Sequence, residues 1–401
     1  MKTDIIIAGG GTVGCCLALA LAKLTDLNIA IIEAKAYQAD QAHPGFDARS
    51  LAIAKHSQRV MDSWGLDIGA IGTAIKQIKV TDQGHIGQCW LDCAEQNLDA
   101  LGYVVELHQL GQQLHQALDN VASSRLHWYC PDQIAAIEQH QECIKINLAS
   151  QQTLEARLLV VADGAKSPSA QMMGVKFQQQ DYHQVALIAN VATSKPHHNQ
   201  AFERFTGSGP LALLPLAGNQ CSLVWTLTTD EYQSIRNCAD SVFLSALQAK
   251  FGYALGEFTQ VSQRYGFPLS LLTADASIQH RTVIMGNAAH SLHPIAGQGF
   301  NLGLRDVEAL AQLLANSVRP QQDIGDYRVL HQYQQMRQAD QSRVIGLTDG
   351  LVRLFSNQYL PLVVGRNLGL SIVNSLSGLK NSLAKQAMGL NAASTASSGI
   401  E

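Results

Sequence analysis

Between Ile5 and Glu33 the chain passes through an apolar run, a glycine cluster, a run of small residues and a second apolar run ending on an acid. That order leaves few folds open. Ile5-Ile6-Ile7-Ala8 is rich in β-branched residues, the pattern of a strand covered on both faces. Gly9-Gly10-Gly11-Thr12-Val13-Gly14 follows, a G-x-G-x-x-G with an additional central glycine, and Cys15 to Leu24 reads as a helix. Ile29 to Ile32 reads as the next strand and ends at Glu33. Together these elements predict the opening of an α/β nucleotide-binding sheet. Gly9 permits the tight turn, Gly11 lets a pyrophosphate approach the backbone, and Gly14 lets helix and strand pack closely. The helix N-terminus offers free N–H groups and a positive dipole end to phosphates. Glu33, about 20 residues beyond the motif, suits a ribose and argues against a 2′-phosphate. None of this separates NAD from FAD.

Two later strands end in the same manner. Leu158 to Val161 leads to Asp163-Gly164, and Thr282 to Met285 leads to Gly286-Asn287-Ala288-Ala289-His290. The second continues through His293-Pro294-Ile295-Ala296-Gly297-Gln298-Gly299-Phe300-Asn301 into an expected helix. Ligands collect at the carboxyl ends of parallel strands, so all three motifs are expected to converge on one long ligand.

Composition excludes several classes. A chain of 401 residues with 46% hydrophobic and 15% charged residues has the texture of an ordinary folded protein. A net charge of −4 supplies no basic field for nucleic acid. Of the eight cysteines, Cys89 and Cys93 form the only close pair beside adjacent Cys15 and Cys16, so no metal site is expected. Asp4 and the glycines interrupt any signal-peptide core, and no stretch approaches the ~18 apolar residues of a membrane span. The expected location is the cytoplasm, at most against the inner face of the membrane.

The glycine motif, the Asp163-Gly164 turn and the 286–303 segment resemble the three signatures of the class A flavoprotein monooxygenases, the group of p-hydroxybenzoate hydroxylase. His43-Pro44-Gly45-Phe46-Asp47-Ala48-Arg49-Ser50-Leu51-Ala52-Ile53, Ala201-Phe202-Glu203-Arg204-Phe205-Thr206 and Gly209-Pro210-Leu211-Ala212-Leu213-Leu214-Pro215 resemble the ubiquinone-biosynthesis branch acting on 2-polyprenyl-6-methoxyphenol. The resemblance implies a Rossmann-like FAD-binding domain, a β-sheet substrate domain and C-terminal helices. It also implies FAD as cofactor, NADH or NADPH as transient reductant, and transfer of one oxygen atom from O2 to a polyprenylated phenol. By the same resemblance Gly286, Asn287, Pro294, Gly297, Gln298, Gly299 and Asn301 belong to the flavin-binding segment. Asp163 and Gly164 then serve FAD and nicotinamide, and Arg49 lies by flavin and pyrophosphate. Asn287 stands where the wider group carries Asp, and we take it as a mark of the branch. His290 and His293 flank the turn beside the ring and are candidates for proton relay, whereas Pro294 shapes the backbone.

The expected division assigns 1–75, 105–180 and 275–330 to the FAD-binding domain and 76–104 with 181–274 to the substrate domain. Residues 331–390 are expected to be C-terminal helices and 391–401 a mobile tail. Val185–Val191, Leu211–Leu216 and Ser222–Thr228 read as strands, and Phe202, Phe205, Leu213, Pro215 and Trp225 are candidates to line an apolar pocket. Val344, Leu347, Leu351, Leu354 and Phe355 recur at helical spacing, and Pro361 breaks the apolar run from Tyr359 to Val364. This part is expected to pack on the FAD domain, join a biosynthetic complex or lie on a membrane. Two rivals stay open at this point: a flavin oxidase of another substrate, and a non-catalytic FAD-binding member of a complex.

Overall fold

The computed structural model describes residues 2–36, 49–318, 322–355 and 360–390. Residues His43 to Ala48 and the tail 391–401 lie outside the described residues.

Among the described residues, a six-stranded sheet has the order Ile278–Gln279, Thr282–Ile284, Leu158–Val161, Ile5–Ala8, Ile29–Ile32, Leu126–Tyr129. All its pairs are parallel except the edge pair formed by Ile278–Gln279. The apolar runs are unbroken because both faces are covered. Ile5, Ile7, Ile29, Ile31, Leu158, Val160 and Val283 face the motif helix Thr12–Leu24 and the long helix Gln298–Val318. Their alternates Ile6, Ala8, Ala30, Ile32, Leu159, Val161 and Ile284 face a small sheet of Ile134–Gln139, Ile144–Leu148 and Thr153–Ala156. The motif helix begins at Thr12, three residues before the expected Cys15.

A second sheet, nine-stranded among the described residues and here called the roof, receives the strand His290–Ser291 that follows the first sheet's Thr282–Ile284. Its core strands are Tyr265–Ala274, Phe177–Thr193, Gln220–Thr228, Gly209–Pro215, Gln200–Thr206, Gln77–Asp82 and Gln88–Asp92. Its two faces differ. Leu187, Phe202, Leu211, Leu213, Leu223 and Trp225 are buried in one cluster with Phe243, Leu247 and Phe251 of the helix Asp240–Phe251. Ile188, Ala212, Leu214 and Val224, which alternate with them, keep partial access to solvent. Phe205 lies on this second face, in a cluster with Ile295, Val352 and Phe355.

This alternation corrects the expected pocket. Phe202, Leu213 and Trp225 are core on the side turned from the FAD segment, and buried Pro215 pairs with Cys221 of that same core. Only Phe205 of the five faces the FAD side, because a strand turns successive side chains to opposite faces.

Helices Tyr327–Phe355, Leu360–Ser375 and Ser377–Ala387 follow. In the first, the buried stripe runs through Val344, Thr348, Val352 and Phe355, while Leu347 and Leu351 are exposed, which shifts the expected stripe by about one residue. Pro361 falls in the first turn of its helix, where a missing N–H is tolerated, so it does not break the run. A buried ion pair ties this region to the roof. Arg366 Nε and Nη2 donate to the two Asp82 carboxylate oxygens at 2.8 and 3.2 Å, and Asn367 Nδ2 adds a bond of 2.8 Å.

Trp225→Ala is therefore expected to act as a core truncation, lowering stability by about 3–5 kcal/mol. Chemical denaturation of the variant checks this, and its FAD affinity measured on folded protein should match that of the parent.

Candidate active site

Because the strands ending at Ala8, Val161 and Ile284 are neighbours in the parallel sheet, the three motifs meet. A Cβ on Gly9 (φ +102°) would stand 2.8 Å from Asp163 Cα, and one on Gly286 would stand 3.2 Å from the Val13 side chain. The turn is closed on its protein side: a Cβ on Gly14 would come 2.0 Å from the Gly9 carbonyl oxygen. On the other side it is open, for a Cβ on Gly11, Gly164 or Gly299 meets no atom of the described residues within 4 Å. No side chain among the described residues caps the motif helix at Gly11. Its first N–H groups therefore point into a space that suits phosphate. Glu33 Oε2 accepts from Gly10 N at 2.8 Å and Oε1 from Lys35 N at 2.9 Å, which fixes the carboxylate beside the glycine turn. Asp163 Oδ2 accepts from Ser169 N at 3.1 Å, while its buried Oδ1 has no partner among the described residues. These residues fit a dinucleotide.

The segment after Ile284 crosses from the first sheet to the roof. Asn287 sits exposed in a short turn, and His290–Ser291 pairs with Leu272–Thr273 of the roof. His290 is buried, with Nε2 at 3.0 Å from Asp306 Oδ2. Asp306 is also held by Arg337 Nε at 2.8 Å and Gln341 Nε2 at 3.0 Å. Burial alone would raise the Asp306 carboxyl, but the Arg337 charge and the His290 bond outweigh it and hold it well below the usual carboxylate range. His290 is thus anchored to the long helix through one ring nitrogen.

His293 differs. It is 1% exposed, and neither ring nitrogen has a partner among the described residues. Burial pushes its pKa down to about 4, so the imidazole is neutral at physiological pH. Tyr182 meets it edge-on at 5.5 Å and donates its hydroxyl to Asp349 at 3.1 Å. Pro294 and Gly297 (φ +61°) shape the turn that follows, and a Cβ on Gly297 would stand 2.8 Å from Ala52 Cβ. Gln298 opens the long helix.

The Asn301 side chain, expected at the cofactor, is engaged by backbone. Its Oδ1 accepts from Ala54 N at 2.9 Å, and its Nδ2 donates to Ala52 and Gly297 carbonyls at 2.8 and 2.7 Å. Fully used by backbone and 1% exposed, it clamps the turn to the strand Ser50–Ala54. Arg49, just before that strand, lies over the Phe267 ring of the roof at 5.1 Å. Asp306, Tyr182 and Phe267 escape a motif reading because each reaches the site from a distant element. Asp306 had a signal, lying about two turns into the helix that follows the His290 segment.

A Rossmann-like sheet carrying these three strand ends under a β-sheet roof is the architecture of the p-hydroxybenzoate hydroxylase-like flavoprotein monooxygenases. The FAD-binding-domain family model matches residues 2–347, and the chain belongs to that family. It is similar to the ubiquinone hydroxylase UbiL of Rhodospirillum rubrum, 35% identical over 389 residues that cover 96% of this chain and 89% of that protein. It is also similar to the 3-demethoxyubiquinol 3-hydroxylase of Escherichia coli, 32% identical and covering 97% and 99% of the two chains. Among solved structures, p-nitrophenol 4-monooxygenase PnpA from Pseudomonas putida superposes with a TM-score of 0.79 at 16% identity, over 97% and 98% of the chains. The protein is an FAD-dependent aromatic hydroxylase, which sets aside the oxidase and scaffold readings.

Three expectations follow. Gly14→Ala should weaken FAD binding by about 100-fold, or about 2.7 kcal/mol, in a fluorescence titration of flavin-free protein. Gly11→Ala should weaken FAD binding too, yet leave the melting temperature of the flavin-free protein unchanged, since its Cβ meets only open space. Asp306→Asn should destabilise the fold at neutral pH by removing one of the two carboxylates paired with buried Arg337, leaving Asp340 alone to balance it. Because the folded carboxyl titrates below its unfolded value near ~4, that deficit should shrink as denaturation is repeated at falling pH.

Proposed function

We propose that the protein hydroxylates the ring of a polyprenylated phenol, of the 2-polyprenyl-6-methoxyphenol class, on the route to ubiquinone, using NADH or NADPH and O2. The observation that carries this reading is the apolar, partly open roof face over the FAD segment, combined with relatives named for hydroxylating ubiquinone and demethoxyubiquinol. Bound FAD supplies the activation of O2 and its transfer to an electron-rich ring.

The chain's own residues divide the remaining work. Gly9, Gly11, Gly14, Glu33, Asp163 and Gly164 hold the nucleotide, while Gly286, Asn287, Pro294, Gly297, Gln298 and Gly299 shape the wall beside the ring. Arg49, stacked on Phe267, joins cofactor side and roof and offers positive charge. Phe205, Ile295, Val352 and Phe355 keep water from the reacting centre. His293, neutral and unpartnered among the described residues, suits proton exchange with the site, and His290 positions the same turn through Asp306. The tail of such a substrate draws the protein to the inner face of the membrane, where the exposed Leu368, Ile372, Leu376, Leu379 and Leu383 around the last helices offer an apolar contact. No helix among the described residues is long and apolar enough to cross a membrane.

Flavin absorbance followed anaerobically, with NADH or NADPH and with or without a short-tailed 2-prenyl-6-methoxyphenol, tests the reading. The expected outcome is bleaching accelerated by the phenol and, once O2 is admitted, a product heavier by one oxygen atom. Flavin that neither coenzyme reduces, even with phenol present, would overturn it.

A further inference from the structure

Alternation along Gln200–Thr206 separates its side chains. Phe202 meets Phe251 at 5.3 Å, and Arg204 Nε donates to the Lys250 carbonyl at 2.9 Å, both on the side of the helix Asp240–Phe251. Ala201 and Phe205 lie on the other face, the first with Ile75, Val104 and Leu216, the second with Ile295 of the FAD segment. Glu203 stands between them and shares that face. In register across the roof, its row reads Val80, Glu203, Ala212, Val224, Ile188, so its neighbours on every adjoining strand are apolar.

Glu203 is half-buried, and among the described residues it has no hydrogen bond and no ion pair. Other carboxylates of the roof are partnered. Asp82, two residues along its strand from Val80, is held by Arg366 and Asn367, and Asp92 accepts from Gln77. The charged groups on elements packed nearby are engaged elsewhere: Arg366 with Asp82, and Arg353 with Asp349. His293 is uncharged, and the strands Thr73–Ile75 and Gly102–Glu106 contribute Ile75 and Val104 to this face. An ionised carboxylate left without a partner in such surroundings is costly, and no fold contact accounts for it. Burial raises its pKa to about 7, where a carboxylate is a working base at neutral pH.

We propose that Glu203 is the catalytic base that takes the proton from the substrate's phenol hydroxyl. The proposal rests on the phenol reading above and deepens it. The phenol O–H bond breaks, a new O–H bond forms on a Glu203 carboxylate oxygen, and the electron pair stays on the phenolate, whose ring carbon becomes the stronger nucleophile. Nothing is oxidised in this step. Glu203 ends as a neutral acid, which the apolar row accommodates better than the anion, and product departure returns its proton to solvent.

The test uses FAD-loaded protein, a short-tailed 2-prenyl-6-methoxyphenol, and the variants Glu203→Gln and Glu203→Asp. Ultraviolet difference spectra report whether the bound phenol is ionised, and product analysis gives kcat across pH. Wild-type protein is expected to show phenolate on binding and an activity limb near neutral pH. Glu203→Gln should lose both and fall by about 100-fold or more in kcat, with KM changed far less. Glu203→Asp should recover part of the rate and keep a titrating limb. Glu203→Gln should melt no lower than wild type, since it removes an unpaired charge. Wild-type-like phenolate and pH profile in Glu203→Gln would overturn the role of Glu203 alone. A wild-type protein that hydroxylates no phenol would instead bring down the substrate reading and this assignment with it.

Discussion

The in-register parallel pairing of Ile5–Ala8 with Leu158–Val161 on one side and Ile29–Ile32 on the other is the constraint from which the site follows. Thr282–Ile284 joins in the same direction. Parallel strands end together, so the glycine turn, the Asp163 turn and the Gly286 turn are brought to one edge although about 270 residues of chain separate the first from the last. The close contact of Gly14 with the Gly9 carbonyl keeps that edge compact. A larger residue would push helix from strand and tilt the N–H groups away from the phosphates. Register and glycine contact are one device, because the helix can seat only if the strand beneath it is held straight by both neighbours.

The roof obeys a different rule. It is antiparallel over most of its width, and its two faces have separate duties. One is sealed by Asp240–Phe251 and holds Trp225, Phe202 and Leu213. The other meets the FAD segment through Phe205 with Ile295 and through Phe267 with Arg49. A shift of one residue in any strand would exchange these faces, placing Arg204 over the flavin side and Glu203 against the core helix. Neither position would be tolerable for a charge without new partners, so the polar pattern of Phe-Glu-Arg-Phe helps set the register that the hydrophobic pattern alone leaves ambiguous.

How far the sequence reveals this depends on the range of the interaction. The nucleotide edge is legible because strand, glycines, helix and acid follow one another within the first 33 residues. The roof strands are legible as strands, but their facing is not: Phe202 and Phe205 are the same residue type three positions apart and part company only because alternation sends them to opposite sides. Asn301 looks like a ligand contact in a motif and proves to be a backbone clamp, a distinction set by Ala52 and Ala54 nearly 250 residues earlier. Glu203 was in plain view inside a recognised segment. What distinguishes it is the lack of a partner among the described residues, and that is a property of packing, which no local pattern encodes.

The C-terminal helices then close the argument about dryness. Phe355 stacks on Phe205 at 3.7 Å between ring centroids, and the chain around Phe355 is held by Arg366, which donates to the Leu354 and Phe355 carbonyls while pairing with Asp82. Asp82 ends the roof strand that runs beside Glu203, two residues beyond Val80. The same buried ion pair therefore holds both the Phe205–Phe355 stack and the strand that carries the apolar flank of the unpaired carboxylate. An ion pair so buried adds little net stability over an apolar substitute. What it does provide is a fixed geometry for the Phe205–Phe355 stack and for the strand that runs beside Glu203.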